Sequence, residues 1–473
     1  MNMLAGLKKA NALALMASLP VAVGAAMLVA LPPSSGVALA ASATASDWTK
    51  AVMSWKDRPL RSGQKPVTII LWDVWDGPRY ELAERLVKDF EAAYPWIKVS
   101  RQLHTTWGIT TKFTATLAGG SPPDVVMLPR TDIPSFIDAG ALVPLDSFMV
   151  ERKVTKDIFF PADIGSFLVN GKTWALPTPS GGATNFLVIY NRDRFEEAGL
   201  PDRAPLTWQE FASFSQKLVE FKDGQLVRYG GQMSRHPQLF LPMLYSNAGE
   251  YISRDLRKIT FDSSEGVEAL GFAVSFTNQV NRGKAQIDRI YSRFANTAPF
   301  YSGVEAIWWT NVSAFFWIDD QAKGIRYGIG SMPYNANNPK AESHGVVEGG
   351  WGYVLPETGN DARKYAAFLL LEWFTVEREG AGWFMLQQKR PSPVIAYNLN
   401  PDYLKVNPLW PQVIKVMEKD VTIPITPVHR DIQQAYYTAW NQAMTGDLSP
   451  EDALKQAAAK AQQRLDEYWK SRK

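Results

Sequence analysis

The sequence predicts an α/β fold in which mainly parallel sheets carry helices on their faces. Short β-branched segments at 67–72, 97–99 and 124–128 alternate with segments whose apolar residues recur every three or four positions, as in amphipathic helices. Strands and helices that alternate at this pace are typical of a parallel sheet covered by helices. Ligands of such sheets bind beyond the carboxyl ends of the strands, so the loops after the first and third strands are where we expect a site.

The ends of the early helices can be predicted from turn chemistry. The first helix is expected to begin near Pro78, because proline is favoured in the first helical turn, and to end before Pro95. The second is expected over 105–118, where two glycines stop it. With these helix limits, the loops that follow the strands are short and lie together at one end of the predicted sheet.

The middle and end of the chain repeat the same pattern. Strands are predicted at 186–190, 306–309 and 327–329, and an amphipathic helix over 365–374. A long last helix is expected to follow Ser449, whose hydroxyl is suited to cap it. No internal repeat is visible, so the fold is not a solenoid.

Residues 1–46 differ from the rest of the chain. Two lysines near the start are followed by a mostly apolar stretch without charge and by a small-residue, Ala-x-Ala exit at 37–43. These are the three parts of a secretory signal peptide, predicted at residues 1–40, and cleavage after Ala40 or after Ala43 fits the exit equally well. A retained membrane anchor is the alternative, although a proline and a glycine interrupt the apolar run. The mature protein is therefore expected to be exported and soluble.

The composition excludes several classes of protein. Lys and Arg number 50 against 47 Asp and Glu, a balance that argues against capture of nucleic acid, which needs a large basic excess. The chain has no cysteine, so disulfides, iron–sulfur clusters, thiol nucleophiles and a lipid on an N-terminal cysteine are excluded. The 17 tryptophans are an unusual number, which suggests that some of the rings serve a ligand.

The sequence does not contain the common catalytic motifs. No serine lies in a G-x-S-x-G turn, and the four histidines are scattered rather than paired on a helix. Gly171-Lys172-Thr173 resembles the tail of a phosphate-binding loop, but the preceding glycine is missing. Asp73 and Asp76 resemble the carboxylate pair of a glycosidase, although helix capping explains Asp76. The sequence therefore predicts a binding protein, not an enzyme, with no metal or cofactor.

Tryptophans beside small polar residues are typical of a carbohydrate site. Sugar hydroxyls bind planar polar groups, while the C–H faces of the sugar ring stack on aromatic side chains. Both features occur together at 72–76, 105–107, 308–311 and 348–351. We expect Trp75, Trp107, Trp309 and Trp351 to contact a ligand, while burial in the core is the alternative for each.

An ordered set of segments resembles a known family. The segments are 67–77, 90–99, 112–126, 140–146, 170–177, 188–193 and 206–208. The most specific piece is VIYNRD at 188–193 with LTW at 206–208. Together they resemble the family 1 extracellular solute-binding proteins of bacterial ABC importers, the maltose-binding-protein group, over nearly all of the mature chain.

The resemblance implies a two-lobed periplasmic-binding-protein fold. Each lobe would be a mainly parallel sheet flanked by helices, and hinge strands would join the lobes and let them close on a ligand. Carried onto this sequence, the parts are the first lobe at 66–180 and 350–388, the second lobe at 185–345 and, with the C-terminal helices, 395–473, and crossings near 177–185, 346–351 and 390–397.

Pattern and resemblance together imply a cleft lined from both lobes and from a crossing. The expected ligand contacts are Trp75, Asp76, Trp107, Arg130, Thr131, Asn185, Tyr190, Trp309, Asn311 and Trp351. Arg130 and Thr131 follow the third strand, where a polar sugar contact is often found, and Tyr190 matches the family tyrosine near the cleft.

The function expected from the resemblance is capture of a mono- or oligosaccharide and its delivery to a membrane permease. The protein would act as a monomer outside the cytoplasm. Two alternatives stay open: the same fold with glycerol phosphate or another polar solute, and a secreted carbohydrate-active enzyme. A phosphate ligand would need convergent cations, for which the expected cleft offers Arg79, Arg130 and Arg390.

Overall fold

The computed structural model describes residues 50–179, 186–294 and 297–472. The predicted signal peptide at 1–40 and Asn185 lie outside the described residues. The strands are β1 (Val67–Asp73), β2 (Ile97–Leu103), β3 (Val125–Pro129), β4 (Leu142–Val143), β5 (Leu168–Val169), β6 (Lys172–Thr173), β7 (Leu176–Pro177), β8 (Leu187–Asn191), β9 (Glu220–Lys222), β10 (Gln225–Arg228), β11 (Ile307–Thr310), β12 (Tyr327–Gly330), β13 (Val346–Val347), β14 (Trp351–Pro356) and β15 (Val421–Thr422).

The helices begin and end largely where capping residues predict. They are α1 (Pro78–Ala93), α2 (Ile109–Ala118), α3 (Ile133–Asp138), α4 (Asp146–Glu151), α5 (Pro161–Gly165), α6 (Arg192–Glu197), α7 (Trp208–Leu218), α8 (Phe240–Tyr245), α9 (Ser264–Gln279), α10 (Lys284–Tyr291), α11 (Ala314–Gln321), α12 (Asp361–Thr375), α13 (Trp383–Gln387), α14 (Pro401–Val406), α15 (Trp410–Met417), α16 (His429–Thr445) and α17 (Pro450–Lys470). The Ser449 hydroxyl accepts a hydrogen bond from the Asp452 amide at 3.1 Å, as expected of an N-cap. α2 starts four residues later than predicted, because a turn precedes it in which the Gly108 amide donates to the Thr105 carbonyl at 3.0 Å.

The larger sheet has the strand order β2-β1-β3-β14-β4, and β7 also pairs with β14. β1 is parallel to β2 and β3, whereas β14 is antiparallel to all of its neighbours. β14 is far from β3 in sequence and is not joined to it by a βαβ crossover. It is therefore free of the constraint that makes strands in such units parallel. This sheet is mainly parallel, as predicted.

The smaller sheet departs from the prediction of a mainly parallel arrangement. Its order is β11-β8-β12, and β8 is antiparallel to both neighbours. β8 is the first strand of the smaller sheet after the chain leaves the larger one, and β14 is the strand with which the chain returns to the larger sheet. In each sheet this strand is antiparallel to its neighbours. The expectation of parallel pairing in the second lobe is corrected accordingly.

The buried apolar residues form two large clusters. One joins the larger sheet to α1, α12 and α13, and we call this part the first lobe. The other joins the smaller sheet to α7, α8, α9, α16 and α17, and we call this part the second lobe. A further cluster covers the opposite face of β8, so that Leu187 and Ile189 point to one layer and Val188 and Tyr190 to the other. Residue limits for the two lobes remain a prediction.

The segment before β1 is fastened to the first lobe. Arg58 is 5% exposed and makes an ion pair with Glu377, its Nε lying 2.6 Å from Oε1. The polar lead-in seen in the sequence is thus part of the lobe's buried structure. None of the described helices combines the length and apolar character that a membrane crossing needs.

Candidate ligand-binding cleft

A cavity of about 190 Å³ lies where the two lobes face each other. The first lobe contributes Val74, Trp75, Arg79, Thr106, Met127 and Trp351 to its lining, and the second lobe contributes Asn311, Ser313 and Trp317. Pro179 and Arg390 complete it from the connecting segments. The cavity therefore has walls from both lobes, at the carboxyl ends of β1 and β3 where ligands of such sheets bind.

The loop after β1 is held rigid by a buried ion pair. The Asp73 carboxylate is fully buried, receives Arg101 Nε at 2.7 Å and Nη2 at 2.8 Å, and accepts the Trp75 amide at 3.1 Å. Burial raises the pKa of Asp73, and the Arg101 guanidinium acts against that rise. The loop that carries Trp75 is thereby preorganised, which limits the ordering cost of ligand binding.

The Trp75 ring forms a fixed wall of the cavity. It is 1% exposed, and its Nε1 donates to the Tyr353 hydroxyl at 2.9 Å. Phe384 packs edge-on against it with ring centroids 5.1 Å apart. Because the indole N–H is already used, Trp75 can offer a ligand only apolar contact.

The second-lobe wall is built at the turn between β11 and α11. Asn311 Oδ1 accepts hydrogen bonds from the Ser313 amide at 2.9 Å and from the Ser313 hydroxyl at 2.5 Å. Trp317 lies one helical turn beyond Ser313 and is half-buried. Across the cavity, the half-buried Trp351 begins β14, and its carbonyl accepts from the Thr178 amide at 2.9 Å. Indole rings and amide or hydroxyl groups thus face the same space.

Arg390 brings a charge into the cavity, and no carboxylate among the described residues forms an ion pair with it. The residue is 7% exposed, and its buried Nε has no hydrogen-bond partner among the described residues. Burial, and then repulsion from Arg79, lower the pKa of Arg390 to about 9. Arg79 itself pairs with the exposed Asp76 and lies over the Trp75 ring, 5.6 Å from its centroid. The cavity is therefore electropositive on this side.

Some of the predicted contacts line the cavity, and others lie beside it or away from it. Trp75, Asn311 and Trp351 line the cavity, and the neighbouring Thr106 does so where Trp107 was predicted. Trp107 is 90% exposed beside it. Asp76 is exposed and paired with Arg79. Thr131 is half-buried with its hydroxyl 3.5 Å from Asp132 Oδ1.

Arg130 has a different task from the one predicted. It is 3% exposed, and its guanidinium donates to the carbonyls of Ser166 at 2.9 Å, Val347 at 2.5 Å and Glu348 at 2.9 Å, and also to that of Ile423. These carbonyls belong to the first lobe, the return connection and the second lobe. We therefore propose that Arg130 acts at the hinge rather than on the ligand, since four of its five N–H donors are engaged there.

The hinge contains a second buried polar group next to Arg130. Glu348 is 1% exposed, and its Oε1 receives His429 Nε2 at 3.1 Å, Gln433 Nε2 at 2.9 Å and the Tyr436 hydroxyl. Burial would raise the pKa of Glu348, but these donors outweigh it and lower the pKa. The return connection is thus tied to α16 of the second lobe.

Tyr190 and Trp309 belong to the interior of the second lobe. Tyr190 is 2% exposed, and its hydroxyl donates to Asp202 Oδ1 at 2.9 Å. Trp309 is 1% exposed and packs on Phe211, with centroids 4.6 Å apart. Both faces of the smaller sheet are covered, so Trp309 on one face and Trp308 on the other both pack in a core, which the sequence pattern did not reveal. Neither Tyr190 nor Trp309 lines the cavity.

Sequence reasoning did not include Thr106, Ser313 and Trp317 among the ligand contacts, whereas it did name Arg79 and Arg390 as cations of the cleft. Trp317 follows two phenylalanines, so its segment has the pattern of a core helix. Ser313 stands two residues after the predicted Asn311 and could have been found as its turn partner. Arg390 was noted as a cation at a predicted crossing, which was the signal available.

Two lobes with separate cores, joined at a hinge and enclosing a cavity between them, define a two-lobed binding protein. The family model described as "Bacterial extracellular solute-binding protein" matches residues 76–381. The chain belongs to this family, the solute-binding proteins of ABC importers, as the sequence predicted.

Solved structures share the fold. The chain is similar to the ABC substrate-binding protein Lmo0181 from Listeria monocytogenes in complex with cycloalternan, with 20% identity and a TM-score of 0.72 over 85% of this chain and 100% of that one. It is also similar to the cyclic alpha-maltosyl-1,6-maltose binding protein from Arthrobacter globiformis, with 22% identity and a TM-score of 0.68 over 85% and 99%. These likenesses confirm the two-lobed α/β fold.

A relative in sequence is named for a different ligand. The sn-glycerol-3-phosphate-binding periplasmic protein UgpB of Escherichia coli (strain K12) is 22% identical over 437 residues, which cover 88% of this chain and 96% of that protein. The relatives thus include proteins named for neutral sugars and for a phosphorylated polyol.

Proposed function

We propose that the interlobe cavity captures a carbohydrate and that the protein delivers it to the permease of an ABC importer without chemical change. One observation carries the proposal: both lobes contribute to a cavity lined by Trp75 and the half-buried Trp317 and Trp351, together with Asn311 and Ser313. Indole rings suit the C–H faces of a sugar, and amide and hydroxyl groups suit its hydroxyls. Proteins of similar fold are named for oligosaccharides.

A ligand is expected to close the two lobes, because each lobe supplies one wall of the cavity. Trp351 belongs to the first lobe and Trp317 to the second, so a solute contacts both only when the lobes are close. Such a ligand favours the closed form by its differential affinity for it. A micromolar affinity, about −8 kcal/mol, is within reach of two stacked rings and several hydrogen bonds.

Export and a monomeric state are part of the proposal. The basic, apolar and small-residue parts of 1–43 support removal of a signal peptide and action outside the cytoplasm. Periplasmic relatives such as UgpB support the same location. Each chain has walls for a complete cavity, so a second copy is not needed for binding.

A thermal-shift screen of neutral mono- and oligosaccharides tests the ligand class. A cleft ligand raises the melting temperature by mass action, since it binds the folded state alone. We expect at least one saccharide to raise it and to be recovered unaltered after incubation. Absence of any shift across gluco-, manno- and galacto-configured sugars contradicts the carbohydrate assignment, and hydrolysed sugar contradicts the binding role.

A phosphorylated polyol is the second candidate, and Arg390 is the observation that favours it. The buried Arg390 guanidinium has no carboxylate partner in the described part of the chain, and such a charge is costly unless a ligand supplies the opposite one. Arg79 adds a second positive group at the same cavity, although Asp76 offsets part of it. Including sn-glycerol 3-phosphate in the screen separates the two candidates directly.

Replacing Trp351 with alanine is expected to weaken ligand binding about tenfold or more, because the variant loses a stacked ring in the cavity. Titration calorimetry with the ligand from the screen measures the change. Trp383→Ala is the matched control: that indole is also half-buried but lies outside the cavity lining. Equal affinity of the Trp351 variant and the wild type would remove Trp351 from the site.

Trp107→Ala tests whether the exposed ring at the cavity's edge reaches the ligand. The ring is 90% exposed, so we expect the free energy of unfolding to change by no more than about 0.5 kcal/mol. Its neighbour Thr106 lines the cavity, and a ring that folds over the bound solute would slow release. We expect a faster dissociation rate in stopped-flow measurements, and an unchanged rate would show that Trp107 stays in solvent.

A further inference from the structure

The second lobe carries a groove that is separate from the interlobe cavity. Its volume is about 600 Å³, within the range of roughly 300–1,000 Å³ typical of ligand pockets. It lies between the start of α7, α9 and the segment that follows β12. No residue of its lining is shared with the cleft.

One wall of the groove is an aromatic platform. Phe272 is half-buried and stacks on the buried Trp208, with ring centroids 5.0 Å apart and planes 22° from parallel. Trp208 is fixed in turn, because its Nε1 donates to the Pro333 carbonyl at 3.1 Å. A supported ring at the edge of a groove offers apolar surface to a ligand at little entropic cost.

The lining of the groove also includes side-chain amides held in fixed orientation. Asn335 is 5% exposed; its Nδ2 donates to Asn247 Oδ1 at 3.0 Å and to Glu268 Oε2 at 3.3 Å. Its Oδ1 accepts from Gln209 Nε2 at 3.3 Å and from the Asn337 amide at 3.1 Å. Gln209, Asn335 and Asn337 all line the groove. The bonds above use the donors and acceptors of Asn335, so this buried amide fixes Gln209 and Asn337 in place rather than binding a ligand itself.

The charge of the groove selects against anions. Among the described residues its lining includes Glu265 and Glu268 but no lysine, arginine or histidine, and Lys340, which follows Pro339 of the lining, is the cation near Glu265. Hydrogen bonds from the local backbone and from Ser263 lower the pKa of Glu265, so this carboxylate is ionised at neutral pH. Carboxylates accept hydrogen bonds from hydroxyl groups, whereas a phosphate or a carboxylate ligand would be repelled.

The glycine at position 271 is a separate indication that the groove holds a ligand. It lies in the interior of α9, where glycine costs about 1 kcal/mol relative to alanine. Packing does not explain it, because an added Cβ would meet nothing within 4 Å, and its φ is not in the left-handed region. Gly266 of the same helix is different, since a Cβ there would lie 2.0 Å from the Phe261 carbonyl oxygen. The gap at Gly271 opens into the groove that it lines.

We propose that this groove is a second binding site, for a neutral carbohydrate, and that Gly271 keeps its floor open. The Phe272 ring takes the C–H face of a sugar unit, and the amides and carboxylates take its hydroxyls. The site is independent of the cleft and of the solute that the cleft carries.

Gly271→Leu is the test variant and Gly271→Ala its matched control. Both replace a helix-interior glycine, so both are expected to fold at least as stably as the wild type. Leucine fills the groove, whereas alanine adds one methyl group. Phe272→Leu removes the aromatic platform and keeps an apolar contact with Trp208.

The measurement is hydrogen–deuterium exchange of the mature chain with millimolar maltotriose or mannotriose, and with sn-glycerol 3-phosphate as the anionic comparison. We expect one of the trisaccharides to protect α9 and residues 331–345 in the wild type and in Gly271→Ala. Gly271→Leu and Phe272→Leu should lower that affinity about tenfold or more, while protection at the cleft stays unchanged. The inference is overturned if neither trisaccharide protects these segments in the wild type, if Gly271→Leu retains the protection, or if the phosphate protects them equally.

Discussion

Replacing Arg58 with alanine is expected to lower the free energy of unfolding by about 3–5 kcal/mol, because it leaves a buried carboxylate without its cation. Arg58 Nε lies 2.6 Å from Glu377 Oε1 and 3.4 Å from Glu372 Oε1, and all three side chains are at most 1% exposed. Arg58 Nη1 also donates to the carbonyls of Arg152 at 2.9 Å and Lys153 at 3.1 Å. Urea unfolding of the mature chain measures the loss.

The loss should depend on pH with a definite sign. Burial, followed by repulsion from Glu372, raises the pKa of Glu377 in the folded state. A carboxyl whose folded pKa is above its unfolded pKa takes up protons on folding, so its contribution to stability is greatest at low pH and falls as pH rises through the folded pKa. Removing Arg58 strengthens this effect. The deficit of the variant is therefore expected to be smaller near pH 5 than at pH 8.

Two further variants identify the cause. Arg61→Ala breaks an ion pair with Glu151 whose partners are 40% and 31% exposed, so it should cost no more than about 1 kcal/mol. Glu377→Gln in the Arg58→Ala background removes the unpaired charge and should recover part of the loss. Equal losses for Arg58→Ala and Arg61→Ala would show that the buried ion pair does not determine stability.

Much of the fold could be predicted, because apolar periodicity and caps report local structure. α1 begins at Pro78 and α17 follows Ser449, as proline and serine indicate. The direction of β8 could not be predicted, since a strand buried on both faces has the same apolar run in a parallel or an antiparallel sheet. The role of Arg58 was also hidden, because its partner Glu377 is distant in sequence.

The cleft could be predicted only in part, for a similar reason. Trp75 and Trp351 follow or begin strands at the carboxyl edge of the first-lobe sheet, and the topological rule for ligands applies to them. Arg130 stands at the same edge, yet carbonyls of remote segments take up its donors. Such long-range contacts decide whether a polar side chain faces a ligand or the hinge. The local sequence pattern carries no information about them.

Arg390→Met is expected to increase the stability of the ligand-free protein and to abolish the tight binding of any anionic solute. Methionine retains much of the side chain's length and removes a charge that is 7% exposed and has a buried Nε without a partner among the described residues. Relief of that unsatisfied donor should raise the free energy of unfolding by about 1–3 kcal/mol. For sn-glycerol 3-phosphate, loss of a charge-assisted hydrogen bond should reduce affinity on the order of a hundredfold.

The same variant separates the two ligand classes, because a neutral sugar loses only a hydrogen bond to a hydroxyl group, which corresponds to about tenfold. Melting temperatures without ligand and calorimetric titrations with the phosphate and with the best neutral sugar supply both readouts. Arg79→Met is the control: Asp76 already pairs with that guanidinium, so its removal should change stability little. A destabilised Arg390→Met protein would mean that this guanidinium has a structural partner, and the argument for an anionic ligand would then fail even if the cleft binds sugar.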